Sequence, residues 1–204
     1  MSDSPLVLLG FIAASAWVAR QWILDYRAVR EGVPSRSPLP GATPAPAAAI
    51  AVAALGSVSI LAVETGGEEL LGSSAVQSSM TALFALYSIA GAPVIEEVIF
   101  RGYLIIEGRG RVMLWAGAVA ASLVFALLHP YLWNWTPGGL ALRLDSKGGF
   151  STAMIFALSL WLYAVRVFPL NPERSLLPCF AAHVTKNLGV FGVKYAQGFV
   201  HGWW

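Results

Sequence analysis

The stretch GAPVIEEVIFR, residues 91–101, decides the fold because it places charges at the end of a long apolar run. Residues 75–95 carry no charged side chain, and Glu96 and Glu97 then stand side by side. A charge inside a bilayer costs roughly 2.5–3.5 kcal/mol, so such residues usually have a partner and a function. In a continuous helix Glu97 and Arg101 lie one turn apart and can pair, whereas Glu96 points about 100° away. This spacing predicts one neutralised carboxylate and one that is left for chemistry.

The composition of the chain indicates an integral membrane protein. Hydrophobic residues make up 57% of the 204 positions and charged residues only 12%, against about 25% charged in ordinary soluble domains. The mean hydropathy is +0.66. The net charge of +2, without a cluster of basic and aromatic residues, excludes nucleic acid as the expected partner. Cys179 is the only cysteine, so no intramolecular disulfide is possible. In its apolar segment it is more simply a small hydrophobic residue than a nucleophile.

Apolar runs predict an all-α, polytopic membrane protein of about six transmembrane helices. The runs cover residues 5–24, 45–63, 75 through the glutamate pair, 112–129, 150–168 and 176–195. Residues 1–74 are predicted to hold two N-terminal helices joined by the Pro-rich connector SPLPGATPAP. Residues 75–204 are predicted to form a four-helix catalytic core.

Several helix ends are also predicted. The acidic segment ETGGEE is expected to end the second helix, and Ser73 or Ser74 to cap the third. Pro93 should free the carbonyl of Ile89 and kink the third helix near Gly91. That helix is expected to continue to the turn GRGR at 108–111, and the segment YLWNWTPGGLALRLDSKGG is expected to be a loop.

The arginines predict how the chain crosses the membrane. Nine arginines follow the first, third and fifth runs, whereas only Arg143 and Lys147 follow the second and fourth. The positive-inside rule then places both termini outside and the GRGR turn in the cytoplasm. The rise of about 1.5 Å per residue places the polar groups of the helices near mid-membrane or in the outer half. The chain is therefore expected to be a multi-pass protein of the plasma membrane.

Polar residues on three helices could form one site. Glu96 can act as a general base, His129 shares a helix face with Phe125 in FALLH, and His183 shares one with Asn187 in HVTKN. One carboxylate, two imidazoles and a carboxamide could activate water and stabilise an oxyanion. The same groups could equally bind a metal such as zinc.

Each of these features also has a simpler structural interpretation. An Asn–His pair inside a membrane helix often only joins neighbouring helices by hydrogen bonds. The pair Glu97–Arg101 is more simply structural than catalytic, and Lys186 and Lys194 can extend their ammonium groups towards the interface. The functional hypothesis therefore depends on the joint occurrence of the polar residues on three helices.

The segment EEVIFR resembles the EExxxR motif of the CAAX-processing type II (CPBP, or Abi) intramembrane endopeptidases. Residues 125–129 are similar to the FxxxH motif of that family, and residues 183–187 to its HxxxN motif. The three motifs occur in the order of the family, and the resemblance covers about residues 75–195. Three motifs in order are much more specific than any one alone.

The resemblance implies an all-helical membrane protease that hydrolyses a peptide bond in a cavity within the bilayer. It implies that Glu96 activates the attacking water with the help of His129, and that His183 and Asn187 stabilise the oxyanion. The supporting residues would be Glu97, Arg101 and Phe125. Family members have been described both as metalloproteases and as metal-independent glutamate proteases. No metal is firmly implied, and a zinc ion, if present, would be held by Glu96, His129 and His183.

The expected substrate is a membrane-anchored or lipidated protein or peptide, reached from the lipid bilayer. The small number of helices and the predicted sidedness favour a bacterial-type enzyme of the inner membrane, which trims a membrane-anchored protein during maturation or sorting. A non-catalytic scaffold or immunity protein of the same fold is the main alternative. A small transporter or proton-linked channel with Glu96 and His129 as a relay is the third hypothesis.

Overall fold

The computed structural model describes residues 4–33, 37–75, 77–142 and 145–204, without the side chains of Asn134 and Trp135. Within these residues six long helices follow one another: α1 (Pro5–Arg30), α2 (Ala47–Leu70), α3 (Ala82–Tyr103), α4 (Gly110–Leu127), α5 (Ser146–Val167) and α6 (Leu177–Ala196). A short hairpin of β1 (Trp133–Thr136) and β2 (Gly139–Leu142) joins α4 to α5. Two arginines used for the predicted orientation, Arg36 and Arg143, lie outside the described residues.

Helices α1 to α5 are each long and apolar enough to cross a membrane, as judged over the described residues. Helix α6 has 20 residues, enough for a crossing, but it carries Lys186 and Lys194, which lower its hydropathy. The prediction of an all-α polytopic membrane protein is therefore confirmed.

The packing of α6 agrees with a sixth alternating crossing. Its contacts with α3 and the segment before it run in opposite directions along the chain: Glu97 with His183, Ser88 with Asn187, and Ser78 with Lys194. The contacts of α6 and its N-cap with α2 and the connector before it run in the same direction, from Gly41 with Leu176 to Leu61 with Gly189. An even-numbered helix must run antiparallel to the third helix and parallel to the second, as α6 does.

Helix α2 extends beyond its predicted end. It continues to Leu70, so the segment ETGGEE is helical and the prediction that this segment ends the helix was wrong. Gly67 is what allows the continued packing, because a Cβ atom at this position would lie 2.3 Å from the Phe150 ring. The extension carries Glu64 to Lys186 of α6, where the two side chains form an ion pair.

Helix α3 begins later than predicted. Its N-cap is Thr81, whose hydroxyl accepts from the backbone N–H of Phe84 at 3.3 Å, and neither Ser73 nor Ser74 caps it. The residues before it are extended because Met80 pairs with the C-terminal segment. Met80 N–H donates to the Phe199 carbonyl at 2.8 Å, and His201 N–H donates to the Met80 carbonyl at 2.9 Å.

Helix α3 also ends earlier than the GRGR turn, at Tyr103. The hydroxyl of Tyr163 donates to the carbonyls of Phe100, at 2.6 Å, and Leu104, at 3.0 Å. A carbonyl at a helix end needs a donor from outside the helix. A tyrosine of α5 supplies that donor, which the local sequence of α3 does not reveal.

The segment between α4 and α5 is more ordered than the predicted loop. After a single 3-10 turn at Pro130–Leu132, Trp133 pairs with Leu142 and Thr136 with Gly139 in an antiparallel hairpin. Helix α5 then begins at Ser146 rather than at Phe150. Its N-cap Asp145 accepts from the backbone N–H of Gly148 at 2.7 Å, which explains the earlier start.

Candidate active site

Glu97 and Arg101 lie in the interior of the helix bundle, and both side chains are fully buried. Arg101 Nη1 donates to Glu97 Oε1 at 3.2 Å, and Arg101 Nη2 donates to the Ser159 carbonyl at 3.0 Å. The guanidinium also lies over the rings of Phe125, at 4.7 Å, and Tyr163, at 4.9 Å. The Glu97–Arg101 pair is thus part of a network that joins α3, α4 and α5.

Glu97 has a second partner, which the sequence did not predict. His183 Nδ1 lies 2.7 Å from Glu97 Oε1. Because an ionised carboxylate only accepts hydrogen bonds, Nδ1 must carry the proton, and the hydrogen-bond network thereby assigns the tautomer of the neutral ring. The other ring nitrogen, Nε2, then faces Glu96.

The two adjacent glutamates therefore have different surroundings. Glu96 Oε2 lies 3.8 Å from His183 Nε2, too far for a direct hydrogen bond. Its side chain is 30% exposed, whereas that of Glu97 is fully buried. Glu97 is held by an arginine and a histidine, and Glu96 keeps a carboxylate that a water or a substrate can reach.

His129 lies close to this pair but has different partners. Its Nδ1 donates to the Phe125 carbonyl at 2.8 Å, so Nε2 carries the lone pair of the neutral ring. Phe125 lies between the two imidazoles, with its ring 5.0 Å from that of His129 and 6.4 Å from that of His183. His129 lies two residues beyond the end of α4, and burial lowers the pKa of its imidazole to about 4. The ring is therefore neutral at ordinary pH.

Asn187 is bound to the backbone of α3. Its Nδ2 donates to the Ser88 carbonyl at 2.7 Å. Residues Tyr87–Gly91 form a π-helical turn in which Ala92 N–H bonds to the Tyr87 carbonyl, five residues back. In this register Pro93, which has no N–H, faces the carbonyl of Ser88. The predicted orphan carbonyl at Ile89 was therefore placed one residue too late, and the asparagine supplies the donor that the proline lacks.

A family model described as type II CAAX prenyl endopeptidase Rce1-like matches residues 78–189. The match covers more than half of the chain and contains the EExxxR, FxxxH and HxxxN segments. The chain belongs to this family. None of the curated proteins and none of the solved structures matches it significantly. The suspected relation to the CAAX-processing endopeptidases is therefore confirmed, and with it a general assignment as a membrane protease.

Zinc does not fit the residues of this CAAX endopeptidase-like protein as they are arranged. Across the described residues no three His, Cys, Asp or Glu side chains form a group that could hold a metal ion. Glu96, His129 and His183 are all described, and Nε2 of each histidine keeps its lone pair, but the three side chains do not form such a group. A zinc site needs three protein ligands at about 2.0–2.2 Å from one point.

The family match begins after α2, yet α2 contributes a charged residue close to the site. Glu64 forms an ion pair with Lys186, which lies between His183 and Asn187 in sequence. The Lys186 side chain is 6% exposed and that of Glu64 15%. Sequence reasoning missed this pair because it assigned Glu64 to a turn and left Lys186 at the membrane interface. The one signal that could have found it was the helical spacing that continues through ETGGEE.

Proposed function

We propose that the protein is an intramembrane endopeptidase in which Glu96 activates a water for attack on a peptide bond. The single observation that carries the proposal is the difference between the two adjacent carboxylates. Glu97 is buried and bonded to Arg101 and His183, whereas Glu96 is partly exposed and faces His183 Nε2 at 3.8 Å. A base must be able to take up a proton, and Glu96 is the glutamate that is free to do so.

The reaction balances with groups of this chain alone. Glu96 accepts a proton from water as the water oxygen bonds to the substrate carbonyl carbon. The same proton then passes to the leaving nitrogen as the C–N bond breaks. The Nε2 atoms of His183 and His129 both offer a lone pair when the rings are neutral, so either can accept a hydrogen bond from the water. Glu97 fixes the orientation of His183, and Phe125 contacts both rings.

The oxyanion of the tetrahedral intermediate needs hydrogen-bond donors. Asn187 Nδ2 carries two hydrogens, and only one is needed for the Ser88 carbonyl. The second is the candidate donor to the oxyanion. His183 becomes a second donor when the proton that Glu96 takes from water moves on to the neighbouring His183 Nε2, from which it then passes to the leaving nitrogen. Donors held in place before the reaction stabilise the developing charge most effectively.

The proposed substrate is a membrane-anchored or lipidated protein or peptide, because the base lies among helices that are apolar enough to cross a bilayer. The predicted orientation, with both termini outside, favours a bacterial inner-membrane enzyme that trims a hydrophobic anchor.

The test compares the termini of membrane proteins in cells that carry the native chain, Glu96→Gln or Glu69→Gln. Glu69 is an exposed residue of α2 and serves as the matched control. One or a few proteins are expected to keep an unprocessed terminus with Glu96→Gln only. Identical termini, together with rescue of a deletion phenotype by Glu96→Gln, would favour a non-catalytic scaffold. Solute flux through liposomes without any cleaved product would favour a transporter.

A further inference from the structure

A cavity in the described part of the protein lies away from the glutamate pair, at the basic end of α1. It has a volume of about 570 Å³ and lies between the last turns of α1 and the first residue of α6. This is within the range of about 300–1,000 Å³ that is usual for small-molecule sites. Its lining residues are Trp22, Ile23, Tyr26, Arg27, Arg30, Glu31 and Leu177.

One wall of the cavity is held rigidly. Trp22 is buried, stacks on Tyr26 with ring centroids 5.5 Å apart, and meets the edge of Phe180 at 5.1 Å. Trp22 Nε1 also donates to the Pro40 carbonyl at 3.2 Å. Asp25, near the end of α1, accepts from the backbone N–H of Leu39 at 2.9 Å. The end of α1 is thus fixed by the Pro-rich connector and by α6.

The charges of the cavity favour an anion. Arg27 and Arg30 are one helical turn apart and exposed, and neither forms an ion pair with a carboxylate of the described residues. The lining of the cavity thus contains two guanidinium groups and one carboxylate, that of Glu31. Arginine is well suited to phosphate because its planar fork of donors matches two phosphate oxygens.

The position of the cavity selects a lipid as the source of the phosphate. Arg30 is the last residue of a helix that is apolar enough to cross a membrane. Ile23 is exposed at the same site, and Leu24 and Val29 are exposed beside it. The nine-to-two distribution of arginines assigns this end to the cytoplasmic face, where anionic lipids attract basic residues next to the membrane. A headgroup phosphate can bind the guanidinium groups while its acyl chains contact the apolar side chains.

We propose that this cavity binds the headgroup of an anionic phospholipid, with Arg27 and Arg30 on the phosphate and the Trp22–Tyr26 stack as the wall. Helix α1, which carries both arginines, lies outside the range that the family model matches, and α6 adds Leu177 to the lining. Trp22 contacts Phe180, three residues before His183, and a lipid bound here would contact α1 and α6 together.

The test measures how much phosphatidylglycerol stays bound to the purified full chain after release from mixed phosphatidylglycerol–phosphatidylcholine nanodiscs, by native mass spectrometry. The double variant Arg27→Gln/Arg30→Gln is expected to lose about tenfold in retained phosphatidylglycerol. The matched control Arg109→Gln/Arg111→Gln removes the same charge from exposed positions elsewhere and is expected to lose less than about twofold. Glu31→Gln, which removes the one carboxylate of the cavity, is expected to increase retention and serves if the double variant does not fold.

Three results would overturn the proposal. Equal retention by the native chain and Arg27→Gln/Arg30→Gln would show that the cavity is not the site. An equal loss in the control would show that only the general surface charge matters. Displacement of the lipid by millimolar inorganic phosphate, with tight binding of the phosphate alone, would assign the cavity to a free anion instead of a headgroup.

Discussion

The side-chain amide of Asn187 donates to the backbone carbonyl of Ser88 over 2.7 Å and thereby joins α6 to the π-helical turn of α3. Pro93 creates the need for this bond, because it has no N–H to offer the carbonyl five residues back. The turn ends at Gly91, five residues before Glu96 in the same helix, so the asparagine helps to set the position of the proposed base.

We expect Asn187→Ala to lower the free energy of unfolding by about 1–3 kcal/mol, because it leaves the Ser88 carbonyl without a donor in an apolar environment. In a Pro93→Ala background the penalty should be smaller, since an alanine at position 93 restores a backbone N–H that can reach the carbonyl. Thermal unfolding of the four variants of this double-mutant cycle measures the coupling. Thr185→Ala on the same helix controls for the loss of a polar side chain. Additive effects of the two substitutions would contradict the assigned role.

Glu96 and Glu97 should respond differently to the same substitution. Glu97→Gln removes the negative charge that pairs with the buried Arg101 and is expected to cost about 3–5 kcal/mol of stability. Glu96→Gln should change stability by less than about 1 kcal/mol, because the side chain is partly exposed and makes no close hydrogen bond. Denaturant unfolding of the two variants, with cleavage measured on the folded fraction, separates the effects. A strongly unstable Glu96→Gln would show that Glu96 is structural.

Arg101→Lys is expected to be poorly tolerated although it keeps the charge. The guanidinium bonds simultaneously to Glu97 and to the carbonyl and hydroxyl of Ser159, and lies over three aromatic rings. A lysine ammonium cannot reproduce this planar set of contacts. We expect a loss of about 2–4 kcal/mol in thermal unfolding, as for other disrupted buried networks. Arg109→Lys, at an exposed position, is the matched control and should unfold as the native chain does.

Replacing both Glu64 and Lys186 should destabilise the protein less than replacing either one alone. Each side chain is largely buried, so Glu64→Gln or Lys186→Met alone leaves a charge without its partner and is expected to cost about 3–5 kcal/mol. The double variant should recover most of that loss, because no unpaired charge remains. Chemical denaturation of the three variants measures the difference. A double variant as unstable as the sum of the single ones would argue against direct pairing.

His129 should make stability depend on pH. Burial lowers its pKa from about 6.5 to about 4, so between these values the unfolded chain binds more protons than the folded protein. The contribution of His129 to the free energy of unfolding is fully present above about pH 6.5 and is lost as the pH falls towards 4. The unfolding free energy should therefore fall less steeply with decreasing pH in His129→Gln than in His201→Gln, which removes an exposed histidine. Equal slopes for the two variants would contradict a buried neutral His129.

The sequence by itself determined the fold class and the contacts within single helices, because these depend on composition and on the period of the helix. The apolar runs predicted the all-α membrane fold, and the spacing of four residues placed Arg101 within reach of Glu97, where the structure has it. The same spacing placed Asn187 on the His183 face of α6, because residues four apart lie on one side of an α-helix. The prediction that His129 shares a helix face with Phe125 was wrong, since His129 lies beyond the end of α4 and reaches Phe125 by a bond from its ring to the Phe125 carbonyl.

The tertiary structure decided which residue meets which across helices, because such contacts depend on packing between segments far apart in the chain. The bonds of Glu97 with His183, of Asn187 with Ser88 and of Glu64 with Lys186 are all of this kind. Contacts between helices also decided where the helices end. Helix α3 stops where Tyr163 of α5 donates to its last carbonyls, and α2 continues because Gly67 leaves room for the Phe150 ring. Local spacing places groups on a helix face, and only packing supplies the partner that makes one glutamate structural and leaves the other accessible.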